Sequence, residues 1–139
     1  MDVAAFAEVQ RLSAETIGWR LMTILHYVEA EGVVVRVHSS DPATYPIGGR
    51  KRLADFPTNH AAMAGGDVFL AANRDDVRRA YADHEALFAL GIESILNVPV
   101  RAEGRRLGTL NLCGAEGSFG PAEVARAREL AEMLVGVSG

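Results

Sequence analysis

Apolar positions recur at helical spacing near both ends of the chain and crowd into strand-like runs between them. Phe6, Val9 and Leu12, with Val3 and Ala5 beside them, predict a helix from Val3 to Thr16 that stops at Gly18. Trp19 to Tyr27 is dense in aromatic and β-preferring residues, Glu29 to Gly32 reads as a turn, and Val33 to His38 is strongly β-branched. Together they predict a hairpin of two antiparallel strands. Ser39 to Thr58 carries prolines, two adjacent glycines and mixed charge, the marks of a long irregular segment. Asn59 to Ala64 predicts a short helix ending at Gly65-Gly66, and Asp67 to Ala71 a short strand.

The best-marked element follows. Asn73 is a natural N-cap with Asp76 at the third helical position, and Gly91 marks the stop. Val77, Tyr81, His84 and Phe88 then share one face, which points His84 towards the core. Ser94 to Val100 and Arg105 to Cys113, joined at Ala102-Glu103-Gly104, predict a second antiparallel hairpin. A last helix opens at Pro121 and Glu123 and carries Val124, Ala127, Leu130, Ala131 and Leu134 on its apolar face. The expected fold is α+β: an antiparallel sheet with the terminal helices on one face and the middle segment on the other.

Composition narrows the function classes. The 139 residues suit one domain spanning 1–139, and an apolar share of 49% with a charged share of 23% is ordinary for a globular protein. Net charge is −4, and basic residues are scattered apart from Arg50-Lys51-Arg52 and Arg105-Arg106, so nucleic acid is not an expected partner. No apolar run reaches membrane-spanning length, and the start lacks the basic and apolar regions of a signal peptide, which makes the expected location cytoplasmic. The single cysteine, Cys113, has no internal disulfide partner.

Candidate site residues come from strand alternation. Thr109, Asn111 and Cys113 fall on one face of their strand and Asn97 on one face of its neighbour, opposite the apolar sets Leu96, Val98, Val100 and Leu110, Leu112. Two readings stay open for the polar set: the floor of a small-molecule pocket, or polar residues that pin neighbouring loops. His38, Ser40 and Tyr45 before the long loop, and Lys51 and His60 beyond its middle, are candidate ligand contacts or backbone anchors of irregular chain. Tyr81 and His84 are candidates on the helical-face argument, against a reading as satisfied core residues. The four histidines have no close pair at metal-site spacing, and no Gly-x-Ser-x-Gly elbow is present.

The order of elements, with Gly91-Ile-Glu-Ser-Ile-Leu-Asn-Val-Pro-Val100, the Gly-Thr-Leu strand from Gly108 and Phe119-Gly-Pro-Ala-Glu123, resembles the GAF domain family over nearly the whole chain. The resemblance implies a stand-alone, non-catalytic sensory domain that binds a small molecule under its middle loops and dimerises through its terminal helices. It leaves the ligand and any cofactor unnamed. The family includes free methionine sulfoxide reductases, which use several cysteines where this chain has one; a redox enzyme relying on Cys113 is the alternative, and a dimerisation module without ligand a third. Bilin attachment lacks its cysteine in the middle helices, the cyclic-nucleotide signature does not fit Asn73 to Glu85, and haem ligation through His60 or His84 stays open.

Overall fold

The computed structural model describes residues 1–136; the last three residues of the domain expected over 1–139 lie outside them. The elements are α1 (Phe6–Thr16), β1 (Leu21–Val28), β2 (Val33–Ser39), β3 (Arg50–Arg52), α2 (Pro57–Ala64), β4 (Phe69–Ala71), α3 (Arg74–Ala80), α4 (His84–Ala89), β5 (Ser94–Ala102), β6 (Arg105–Gly114) and α5 (Pro121–Met133). The six strands form one antiparallel sheet in the order β3-β2-β1-β6-β5-β4, so both hairpins read from the sequence form and sit side by side in its middle.

One face of the sheet carries Met22, Ile24, Leu96, Val98, Leu110 and Leu112 under α1 and α5, whose Val9, Ala127 and Leu130 are wholly buried against it. Removing these side chains from water supplies the main driving force for folding. The other face carries Leu21, Ile95 and Cys113 under α3 and α4, with Val77, Tyr81 and Leu87 packed on them. The split of terminal and middle elements between the two faces is therefore as the sequence predicts.

Three local predictions are corrected. The long irregular segment contains a strand, β3, which extends the sheet at its edge by pairing with Val33 to Val35. Helix α2 opens at Pro57, earlier than Asn59, because proline suits the first turn, where its missing N–H costs nothing. The single helix expected from Asn73 to Gly91 is two. Asn73 caps α3 as predicted, its side chain accepting from the Asp76 N–H at 2.9 Å, but Tyr81 is extended (φ −129°, ψ 119°) and ends the helix. At the break the Tyr81 side chain is buried, its hydroxyl bonded to Asn59 and Asn97. The break also removes the helical-face argument for His84.

A bulge decides which side chains of β2 face which layer. Leu25 pairs with Arg36 but Ile24 pairs with His38, so Val37 is the extra residue and Arg36 and His38 lie on opposite faces of the sheet. The bulge sends Arg36 to the α3–α4 side and His38 to the α1 side.

Candidate functional site

The face under α2, α3 and α4 has a polar row at its centre. Thr23 of β1, Asn111 of β6 and Asn97 of β5 are direct cross-strand neighbours, so their side chains stand abreast on one face. The Asn97 amide donates to Asn111 Oδ1 at 2.8 Å, and the Asn111 amide donates to Thr23 Oγ1 at 3.2 Å. From above, Asn59 of α2 donates through Nδ2 to Asn97 Oδ1 at 2.8 Å and to the Tyr81 hydroxyl oxygen at 2.9 Å. All five residues are buried, and a buried amide is tolerable only when bonded in this way. The chain of bonds ties α2 and the α3–α4 junction to the central strands.

Around this row lies a cavity of two lobes, each about 60 Å³, that share Lys51, Tyr81, Asn97 and Asn111. The first is walled by Arg36, Tyr45 and Asp83 and by the apolar side chains of Leu21, Leu87 and Ile95. The second reaches under α2 to Phe56, Asn59 and His60. A larger hollow of about 150 Å³ lies between β5 and α5, but its arginines are spent on backbone: Arg101 donates to the carbonyls of Ala64 and Gly104, and Arg128 to that of Gly66. Convergent polar groups, not volume, single out the two-lobed cavity as the candidate site.

Its electrostatics are cationic. Arg36 is 8% exposed; its Nη1 donates to the Pro46 carbonyl at 3.1 Å, its Nε is buried without a partner, and the guanidinium lies 5.3 Å from the centre of the Tyr45 ring. Gly49 makes room for it, because a Cβ there would stand 2.6 Å from Arg36 Nη1. Lys51 Nζ lies 5.3 Å from the centre of the Phe56 ring. Burial lowers the pKa of both bases, and Arg36 lowers that of Lys51 further. Among the described residues neither base has an ion-pair partner. Burial raises the pKa of the Tyr45 and Tyr81 hydroxyls, so both stay protonated.

The remaining sequence candidates divide. His38 is corrected: the bulge places it against α1, with Nε2 2.6 Å from Gln10 Oε1 and its ring 5.6 Å from that of Phe6, outside the cavity. Ser40 takes the backbone-anchor reading: its Oγ accepts the Met22 N–H at 2.9 Å and closes the end of the first hairpin. His84 is a satisfied residue: Nδ1 lies 2.8 Å from the Tyr81 carbonyl oxygen and it lines neither lobe. Thr109 is buried beside Leu25 and Pro99, one row from the cavity, with an unpartnered Oγ1. His60 lines the second lobe with a buried, unpartnered Nδ1, and burial first, then Arg106, lowers its pKa. Arg36 and Asn59 were missed by the sequence reading. A lone charge inside Val33-Val34-Val35-Arg36-Val37 was the available signal for the first; nothing in α2 marks the second.

Cys113 lies in the floor of the first lobe as a buried thiol whose pKa burial pushes up from 9.0 to about 12. A thiol so protonated is a poor nucleophile. At about pH 8 the native protein is expected to react with a disulfide reagent far more slowly than urea-unfolded protein; equal rates would mean an open, ionised thiol. Since the unfolded thiol ionises first, Cys113 should also make stability fall as pH rises from 9.0 towards about 12, a slope that Cys113→Ala would reduce.

Comparison with known proteins agrees with this geometry at the level of the fold. A family model described as GAF domain matches residues 4–134. A GAF domain/HD domain protein from Geobacter sulfurreducens superposes with a TM-score of 0.77 at 13% identity, covering 94% of this chain and 89% of that one. A red/green cyanobacteriochrome in its red-light-absorbing state gives 0.71 at 16% identity, with 94% and 92% covered. The free methionine-R-sulfoxide reductase of Neisseria meningitidis, solved with its substrate, gives 0.69 at 21% identity, with 95% and 74% covered. No curated protein matches the chain in sequence. Among the described residues no helix is long and apolar enough to cross a membrane, and no cluster of metal-binding side chains occurs.

Proposed function

The chain belongs to the GAF domain family, and from that premise we propose that it is a non-catalytic sensory domain that binds a small molecule in the two-lobed cavity. The observation that carries the reading is the bonded row from Thr23 through Asn111 and Asn97 to Asn59 and Tyr81. It forms the cavity floor and at the same time fastens the covering helices. A ligand that competes for any of these bonds shifts the balance between two placements of α2 and of the α3–α4 junction, and that shift is the signal. The size of the lobes favours a compact metabolite: haem or a bilin needs a pocket of several hundred Å³, against about 60 Å³ in each lobe. The buried, protonated Cys113 supports the non-catalytic reading over a sulfoxide reductase. Net charge of −4 supports a small-molecule partner over nucleic acid.

Native mass spectrometry beside denaturing mass spectrometry tests the reading, backed by a thermal-shift screen of compact metabolites. We expect a released small species, or compounds that raise the melting temperature and shift the Asn97 and Asn111 side-chain amide resonances. Neither retained species nor any such compound would leave a domain whose middle layer serves packing alone.

The domain acts as a homodimer in this reading. Its terminal helices spend their principal apolar faces on the sheet, so the supporting surface is what α5 leaves over: a shallow apolar hollow formed by Leu70, Pro121, Val124 and Ala125. Light scattering after size exclusion is expected to give twice the 14.9 kDa chain mass, and Val124→Glu to return it to the monomer. A monomer at tens of micromolar for the parent protein would remove the dimer.

A further inference from the structure

The first lobe is built around a buried charge that, among the described residues, has no ion-pair partner. Arg36 is more than nine-tenths buried, yet of its five N–H donors one has a protein acceptor, the Pro46 carbonyl. Lys51 projects into the same lobe. The carboxylate in the lining, Asp83, sits on an exposed turn at the rim; its charge acts on Lys51 from a distance, and among the described residues it makes no ion pair with either base. A buried guanidinium without a carboxylate is destabilising unless something else supplies the counter-charge. Two bases against one rim acid leave one positive charge. Beside them the wall is apolar, formed by Leu21, Leu87 and Ile95, and the amides of Asn97 and Asn111 stand opposite.

From this arrangement we propose that the ligand of the cavity is a small organic monocarboxylate, its carboxylate held between Arg36 and Lys51 and its short body laid on Leu21, Leu87 and Ile95 towards Asn97 and Asn111. The inference rests on the sensory reading above and deepens it. The planar fork of Arg36 suits a carboxylate, which accepts two parallel bonds from it. The apolar wall favours an organic acid over inorganic phosphate, which would bury no apolar surface in return for losing its hydration. The two lobes accommodate a chain of up to about four carbons.

The test uses the intact chain with butyrate, pyruvate and 2-hydroxybutyrate as probes, butanamide as the uncharged isostere of butyrate, and inorganic phosphate, read by two-dimensional amide NMR and thermal shift. At least one of the acids is expected to shift the Asn97 and Asn111 side-chain resonances where butanamide and phosphate do not. Arg36→Met and Lys51→Met should each weaken that acid by about thirtyfold or more. Arg36→Lys should restore part of the affinity, and the exposed Arg105→Gln should change nothing. If Arg36→Met does not fold, Lys51→Met and Arg36→Lys carry the comparison. Binding of butanamide or phosphate at these resonances with the acids silent overturns the carboxylate inference and leaves the sensory reading standing. Silence of every probe, together with an empty metabolite screen, overturns both. Acid binding unchanged in Lys51→Met and Arg36→Lys places the anion elsewhere and also overturns it.

Discussion

Gly108→Ala is expected to destabilise the fold severely. Gly108 lies in β6 between Val100 of β5 and His26 of β1, and a Cβ built on it would stand 2.0 Å from the Leu25 carbonyl oxygen and 2.9 Å from Met1 Cε. The obstacle is the backbone of the neighbouring strand, which cannot swing aside as a side chain can. Relief requires β1 and β6 to part, which breaks the sheet at its centre and disturbs Leu25, a wall of the second lobe. Overpacking relieved only by backbone displacement costs about 3 kcal/mol or more, a large share of the roughly 5–15 kcal/mol that separates folded from unfolded domains. Urea midpoints and amide dispersion in NMR measure it. A loss below about 1 kcal/mol would show that the two strands have slack at this point.

The second large effect concerns the buried amide row. Asn97→Ala removes an acceptor of the Asn59 amide and of the Tyr81 hydroxyl and the donor to Asn111 Oδ1 at once; Asn59 keeps its bond to Tyr81, but Asn111 Oδ1 is left buried without a donor. We expect a loss of about 2–4 kcal/mol, since each abandoned group carries its desolvation cost. The cycle with Asn59→Ala distinguishes a network from independent bonds. If the row acts as a unit, the double variant is destabilised by clearly less than the sum of the singles. Additive losses would mean that α2 is held mainly by its apolar contacts and that the amides couple little.

Much of this arrangement can be read from the sequence, and the reasons for the rest are local. Strand alternation set Asn97 apart from Leu96 and Val98 and grouped Asn111 with Cys113, because an unbulged strand in a half-polar sheet repeats every two residues. His38 was a candidate from its place at the strand end before the long loop, and the face it takes is a different matter. Alternation puts it with Arg36, and only the extra residue at Val37 separates the two; a bulge leaves no mark in a run of valines. The helical-face argument for His84 failed for a related reason. The Val77 to Phe88 stripe has helical spacing, but the helix surrenders Tyr81 to a hydrogen bond with Asn59, more than twenty positions away in the chain, and tertiary demand overrides local periodicity. Arg36 was visible as a charge among valines but carried no sign of which face it would take. Asn59 was indistinguishable from any surface residue of a short helix until its neighbours were known.

The edge strands have a consequence for the behaviour of the protein at high concentration. An open sheet offers unpaired backbone at both sides, and such edges recruit other chains into fibrillar aggregates. Here both edges, β3 and β4, are three residues long. One consists entirely of Arg50, Lys51 and Arg52. Arg50 and Arg52 are held in ion pairs with Glu31 and Asp55, and Lys51 lines the cavity, so a second copy arriving along that edge meets a three-residue ladder flanked by long charged side chains and too short to hold it. The same short, charged strand that lends Lys51 to the cavity thus also guards the sheet against polymerisation.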